Sequence, residues 1–179
     1  MIRQLRASRD EIEEKNREIV QTSERIKAIL DNATAVIYIK DRQGRYLLIN
    51  RQFEQLFDMA NKTIVGKTDH EIFPSEIADV FQRNDRQVLK EDRPREMEER
   101  APHPDGVHTY ISVKFPLYDG QRNSYAVCGI STDITAQKKA EGVLKSYSER
   151  LEKTVSERTQ ELQYAKEEAE SANRSKSDF

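Results

Sequence analysis

The chain has 179 residues with 30 Lys+Arg against 32 Asp+Glu, a net charge of -2, and only 36% hydrophobic side chains. A typical globule carries about 25% charged and ~45–50% apolar residues, so part of this chain is expected to lie outside a packed core. No apolar run approaches the ~18 residues that cross a bilayer, the N-terminal MIRQLRASRD has no signal-peptide segment, and interspersed charges leave no basic stripe for a nucleic acid backbone. The expectation is a soluble, cytoplasmic chain without nucleic-acid partner or direct membrane contact, whatever anchors a longer parent. The single cysteine, Cys128, excludes an internal disulfide and a cysteine-based zinc cluster and fits a reducing compartment.

Charge is concentrated at the two ends, with 13 charged residues in 1–30 and 18 in 136–179. In the first segment, 1–29, Leu5, Ile12, Ile19 and Ile26 recur every seven residues, while the alternate seam holds Ile2, Arg9, Asn16, Ser23 and Leu30. A seven-residue repeat keeps one stripe facing a partner, the condition for a coiled coil. An amphipathic helix packed on its own domain is the competing reading.

Residues 30–135 switch to strand periodicity. Ala35-Val-Ile-Tyr-Ile39 and Arg45–Ile49 flank the turn signal Asp41-Arg-Gln-Gly44 and predict a hairpin. Asn50 is a capping residue before Phe53, Leu56 and Phe57 at helical spacing, and Ser75–Glu91 reads as a second helix with Ile77, Val80, Phe81, Val88 and Leu89 inward. Three further strands are predicted at Arg95–Arg100, Val107–Tyr118 and Ser124–Thr132, separated by turns at Pro102–Gly106 and Asp119-Gly120. Two strands, short helices and three strands give an α+β domain: a five-stranded antiparallel sheet with helices across one face.

Residues 136–179 have no Pro and no Gly after Gly142, and are rich in strong helix formers. Leu144, Leu151, Arg158, Ala165 and Ala172 form one heptad seam, and Ser148, Val155, Leu162 and Ala169 the other. Small residues and a seam arginine predict loose, switchable pairing. Leu5, Ile12, Ile19, Ile26, Leu144, Leu151, Val155 and Leu162 are the candidate dimer contacts.

Four sequence words carry a resemblance: Ile39-Lys-Asp41-Arg-Gln-Gly44-Arg-Tyr46 with Asn50 and Phe53 after it; Gly66-Lys-Thr-Asp-His-Glu-Ile-Phe-Pro74; Asp105-Gly106 before a long strand ending in Phe115-Pro-Leu117; and Gly129-Ile-Ser-Thr-Asp133-Ile-Thr135. In this order and spacing they resemble a PAS domain over residues 30–135. The resemblance implies that Asp133, Ile134 and Thr135 join the last strand to an output helix and transmit signal there; capping of that helix by the acid and the hydroxyl is a compatible role. The run Ala165-Lys-Glu-Glu-Ala-Glu-Ser-Ala-Asn-Arg-Ser-Lys-Ser-Asp-Phe179 is similar to the helix leading into the phosphoacceptor segment of sensor histidine kinases. The implied function is a dimeric input and transmission module, with a kinase core in the parent and a response regulator as the parent's partner. Alternatives are a ligand-free structural dimerisation module in the same kinase, or the PAS module of a cyclase or chemoreceptor.

Chemistry in the chain itself is sparse. No nucleophile is paired with a base, and neither a glycine-rich phosphate loop nor a glycine-flanked serine elbow is present, so the chain is expected to be non-catalytic. His70 is the one candidate heme ligand, against the simpler reading of a polar residue in a short helix; His103 and His108 are read as solvated, and no metal or cofactor is expected. Cys128, in an apolar strand, reads as a small hydrophobe, and the helical Asn-Cys-Arg word of flavin light sensors is missing. Glu98 and Glu99 beside Arg100 read as a solvated strand edge. PAS cavities form between sheet and helices, so Ile39, Phe53, Phe57, Ile72, Phe73, Phe81, Met97, Tyr110 and Cys128 are the candidate pocket for a small-molecule ligand of unspecified identity, with Tyr110 and Ser112 as orienting polar groups.

Overall fold

The computed structural model describes residues 2–177, and within them every side chain except those of residues 2–8, 62, 168 and 170–177. Helix α1 (Ile2–Asn32) leads into β1 (Val36–Asp41) and β2 (Tyr46–Ile49). Their turn is built by Asp41, whose Oδ1 accepts from the N–H groups of Gln43 and Arg45 at 2.9 and 2.8 Å, while Gly44 takes the left-handed φ of 79° that other residues resist.

Asn50 then ends the hairpin and begins α2 (Arg51–Phe57). Its Oδ1 accepts from the N–H groups of Ile37 (2.9 Å) and Phe53 (3.2 Å), and its Nδ2 donates to the carbonyls of Leu30 (3.0 Å) and Ala35 (2.9 Å). A buried amide with two donor and two acceptor bonds is fully satisfied, and this one ties α1, β1 and α2 together. After α3 (Asn61–Ile64), Thr68 and Glu71 close a capping box around a short 3-10 turn at Asp69–Glu71. Helix α4 (Ser75–Glu91) is followed by β3 (Arg95–His103), β4 (Gly106–Tyr118) and β5 (Ser124–Asp133).

The strands form one antiparallel sheet in the order β2-β1-β5-β4-β3, with β5 central. Strand β3 runs three residues further than expected, because Pro102 and His103 pair with Val107 and Gly106 instead of turning. Proline is tolerated there because β3 is an edge strand. Alternation along each strand puts Val36, Tyr38, Lys40, Tyr110, Ser112 and Lys114 on the face covered by α2–α4. That inner face holds the core: Val36, Tyr38, Tyr46, Ile49, Phe53, Ile64, Phe73, Ala101 and Tyr110.

Chain contacts divide the protein into two compact units, Met1–Ile134 and Thr135–Phe179. The second is the 43-residue helix α5 (Thr135–Ser177). Among the described side chains Ile12, Ile19 and Ile26 on α1, and Leu144, Leu151, Val155 and Leu162 on α5, are exposed; the side chain of Leu5 lies outside those described. No helix among the described residues is long and apolar enough to cross a membrane.

Candidate functional site

Between the inner face and the helices lies a cavity of about 30 Å³, lined by Val36, Tyr38, Lys40, Tyr46, Phe53, Phe57, Phe73, Phe81, Glu99, Ala101, Tyr110, Ser112 and Ser131. Its wall is a chain of aromatic contacts. Tyr38 meets Tyr46 at 5.9 Å, Tyr46 meets Phe53 at 5.5 Å, Phe53 meets Phe57 at 4.8 Å, Phe57 meets Phe73 at 5.3 Å, and Phe73 meets Phe81 at 5.5 Å between centroids. Most of these pairs are edge-to-face, as the ring quadrupole favours. Since a water needs roughly 10–15 Å³ of such space, the cavity has room for about two waters.

Of the residues expected in a pocket, Phe53, Phe57, Phe73, Phe81 and Tyr110 line it, as does Ser112. Ile39 and Cys128 do not. They are cross-strand partners and lie on the opposite face from Tyr38 and Lys40, because side chains alternate along a strand. Burial pushes the Cys128 thiol up to about 11, so it is an unreactive packed group. Ile72 packs against the core from behind the 3-10 turn, and Met97 shares the inner face but sits on edge strand β3, outside the lining.

Lys40 and Glu99 give the cavity a charged side and belong to a buried ionic cluster, which the sequence reading missed. Lys40 Nζ lies 2.7 Å from both oxygens of Asp69 and 2.8 Å from Asp85 Oδ2; Lys114 Nζ lies 2.8 Å from Asp85 Oδ1 and 2.8 Å from Glu99 Oε1. Tyr46 and Asn84 add hydrogen bonds to Asp69 (2.8 Å) and Glu99 (2.7 Å). All five ionic side chains are buried. Burial opposes charge on Asp85, but Lys40 and Lys114 outweigh it and hold the carboxyl below its ordinary value. Burial likewise opposes the charge on both lysines, and the facing carboxylates outweigh it and raise them. Glu99 is therefore a buried partner of Lys114 and not part of a solvated edge, since it shares the inner face with Tyr110 while Glu98 points outward. A signal was available: Lys40 follows Tyr38 by two and Lys114 follows Tyr110 by four along their strands, and Asp85 follows Phe81 by four on its helix, so all three occupy inward positions.

His70 lies outside this cavity, with Nε2 2.9 Å from Asp79 Oδ1 and Nδ1 3.0 Å from Gln82 Nε2. No cluster of three metal-binding side chains occurs among the described residues. His103 is not solvated in a turn as expected: it stacks on Phe57 at 4.8 Å and its Nε2 meets the Tyr110 hydroxyl at 2.7 Å. His108 is also engaged, at 2.6 Å from Asp133 Oδ2. Asp133 is the last residue of β5; Ile134 donates its N–H to the Thr109 carbonyl at 2.8 Å, and α5 begins at Thr135.

A five-stranded antiparallel sheet, short helices over one face and a cavity between them define an α+β fold. Residues 30–139 match the family described as the PAS fold, and the chain belongs to that family of signal-sensing domains. It is 33% identical over 132 residues to the methanogenesis regulatory histidine kinase FilI of Methanothrix harundinacea, covering 73% of this chain and 15% of that protein. It is 31% identical over 110 residues to a diguanylate cyclase of Vibrio cholerae, covering 60% of this chain and 34% of the cyclase. The chain thus spans about a third or less of these relatives. Among solved structures it resembles VqmA of Vibrio cholera in a complex with ligand and DNA, at TM-score 0.57 and 25% identity, over 63% of this chain and 51% of that one.

Proposed function

We propose that the chain is the signal-input and transmission part of a two-component sensor histidine kinase, homodimeric through α1 and α5. Occupancy of the cavity biases the strand-to-helix junction at Asp133, Ile134 and Thr135, and through it the kinase core of the parent and its response regulator. The observation that carries this reading is continuity. Ser131 lines the cavity, and within four residues the same central strand has given way to helix α5. Likeness to FilI and the Ala165–Phe179 sequence favour a kinase over a cyclase parent. The exposed apolar stripes on both long helices supply the dimer contacts. The ligand is a small, largely apolar molecule with one or two hydrogen-bonding groups, held by the aromatic wall and oriented by Tyr38, Tyr110 or Ser112. VqmA, which shares the fold, carries a ligand in its complex.

The small cavity favours a second reading, a structural dimerisation module whose core stays filled. Native mass spectrometry of the purified chain separates the two. A dimer with retained or added small-molecule mass is the expected result, a dimer indifferent to all small molecules leaves only the structural reading, and a clean monomer overturns both. In the full-length kinase, Asp133→Ala is expected to change autophosphorylation or its regulation; unaltered output sinks transmission through this junction.

A further inference from the structure

At the end of the sheet where β3 turns into β4, two histidines stand between the cavity wall and Asp133. Phe57 and Tyr110 line the cavity, and His103 touches both. His103 Nδ1 lies 3.1 Å from the Leu56 carbonyl oxygen, which only accepts, so Nδ1 carries the hydrogen. In the neutral ring Nε2 is then the acceptor, and the Tyr110 hydroxyl donates to it. The ring of His108 lies 4.3 Å from that of His103. Its Nδ1 is 2.6 Å from Asp133 Oδ2 and its Nε2 is 3.1 Å from Asp105 Oδ1. Two carboxylates accept from one ring, so both nitrogens donate and His108 is an imidazolium. The directions of titration agree. The Asp133 hydrogen bond, assisted by Asp105, raises His108 against its burial; burial and the His108 charge lower His103, despite the Leu56 carbonyl.

We infer that His103 and His108 form a positioning relay from the cavity wall to the strand–helix junction, in which the charge on His103 decides whether His108 stays clamped to Asp133. A ligand that takes the Tyr110 hydroxyl as its own donor leaves His103 Nε2 without its partner. That nitrogen then accepts a proton from solvent. An imidazolium 4.3 Å from the His108 imidazolium repels it, and His108 responds by losing a proton or withdrawing from Asp133. The groups facing the pair are the Leu56 carbonyl and Phe57 of α2, Asp105 of the β3–β4 turn, Tyr110 of β4 and Asp133 of β5. Asp105 and Asp133 favour charge on both rings, while burial and the charge on His108 oppose it on His103, so the pair holds one proton firmly and the second more weakly. Acidification through the His103 midpoint has the same effect as the ligand.

The relay takes its purpose from the transmission reading above, but its test lies within the chain. Imidazole NMR titration of the whole protein should show two histidines displaced in opposite senses, His108 above and His103 below the ordinary midpoint. Tyr110→Phe keeps the ring on the wall and removes the hydroxyl; it should raise the His103 midpoint by about one unit, a tenfold change in that equilibrium. The His108 resonances should take a second, smaller step as pH falls through the His103 midpoint, and His103→Phe, which keeps the stack on Phe57, should abolish that step. Hydrogen exchange of the Ile134 amide, referred to the amides of β1, should accelerate as pH falls through the His103 midpoint and lose that step in His103→Phe. A His108 titration without that second step, or an Ile134 step that persists without His103, overturns the relay. Should the relay hold while Asp133→Ala leaves kinase output unchanged, only the transmission reading fails.

Discussion

Gly129 shows how much one hydrogen atom in place of a methyl group can decide. A Cβ built there would stand 2.2 Å from Cζ of Tyr38, the residue opposite it in the register. Tyr38 lies flat over this glycine and forms part of the cavity wall, so Gly129→Ala must push the ring from its place. A loss of roughly 1–3 kcal/mol is expected from overpacking, measured by urea unfolding. Asn50→Ala removes a helix cap and leaves several backbone groups without their partner; the expected loss is about 2–3 kcal/mol in the same measurement. Cys128 is buried and its thiol is pushed up to about 11, so alkylation at neutral pH is expected to be slow in the folded chain and fast in denaturant. Rapid labelling of the native protein would contradict that placement. Gly129 and Asn50 both belong to the sequence words that carry the PAS resemblance, but what each touches was not visible there.

Among elements, the buried ions join layers that strand pairing leaves apart. Lys40 of β1 and Lys114 of β4 grip Asp85 of α4 from the sheet, and Asp69 draws in the 3-10 turn. Removing one partner leaves an uncompensated buried charge, so Lys114→Met is expected to cost about 3–5 kcal/mol, more than a surface pair would. The pH dependence has a definite sign. Asp85 ionises below its unfolded value of about 3.9, so its contribution is whole above that pH and is lost as pH falls through the lower folded value. Lys40 and Lys114 are raised, so theirs is whole below about 10.4 and is lost as pH rises through the higher folded values. A stability plateau between about pH 5 and 10 from this cluster is expected, with the acid limb weakened in Asp85→Asn. A wild-type acid limb identical to that of the variant would remove Asp85 from this account.

For the whole molecule, the long helices matter through what they leave uncovered. Leu151 and Val155 on α5 and Ile19 on α1 are exposed in the single chain. Under the proposed dimer, Leu151→Lys places a charge in the seam and is expected to shift the chain toward monomer in sedimentation, with the fold of the sensor unit intact by circular dichroism. An unchanged dimer would remove that α5 seam from the interface. The arginine and alanines further along the seam should keep the pairing weak enough for two helix arrangements to lie within a few kcal/mol, as a switch requires.

Periodicity and turn chemistry determined the elements by themselves: the hairpin at Asp41–Gly44, the helix Ser75–Glu91 and the strand-to-helix junction at Asp133–Thr135 all follow from local preferences that act over a few residues. Phe53, Phe57, Phe73, Phe81 and Tyr110, expected beside a cavity from the PAS resemblance, face the small cavity between sheet and helices. Only the tertiary structure decided the polar pairings around it. Asp85 and Lys114 are 29 residues apart, and His108 and Asp133 are 25 apart. Whether such a charge is solvated or buried against an opposite one depends on strand register and helix placement, which bring distant residues together. The same register sent Ile39 and Cys128 to the far face, since one step along a strand reverses the side chain.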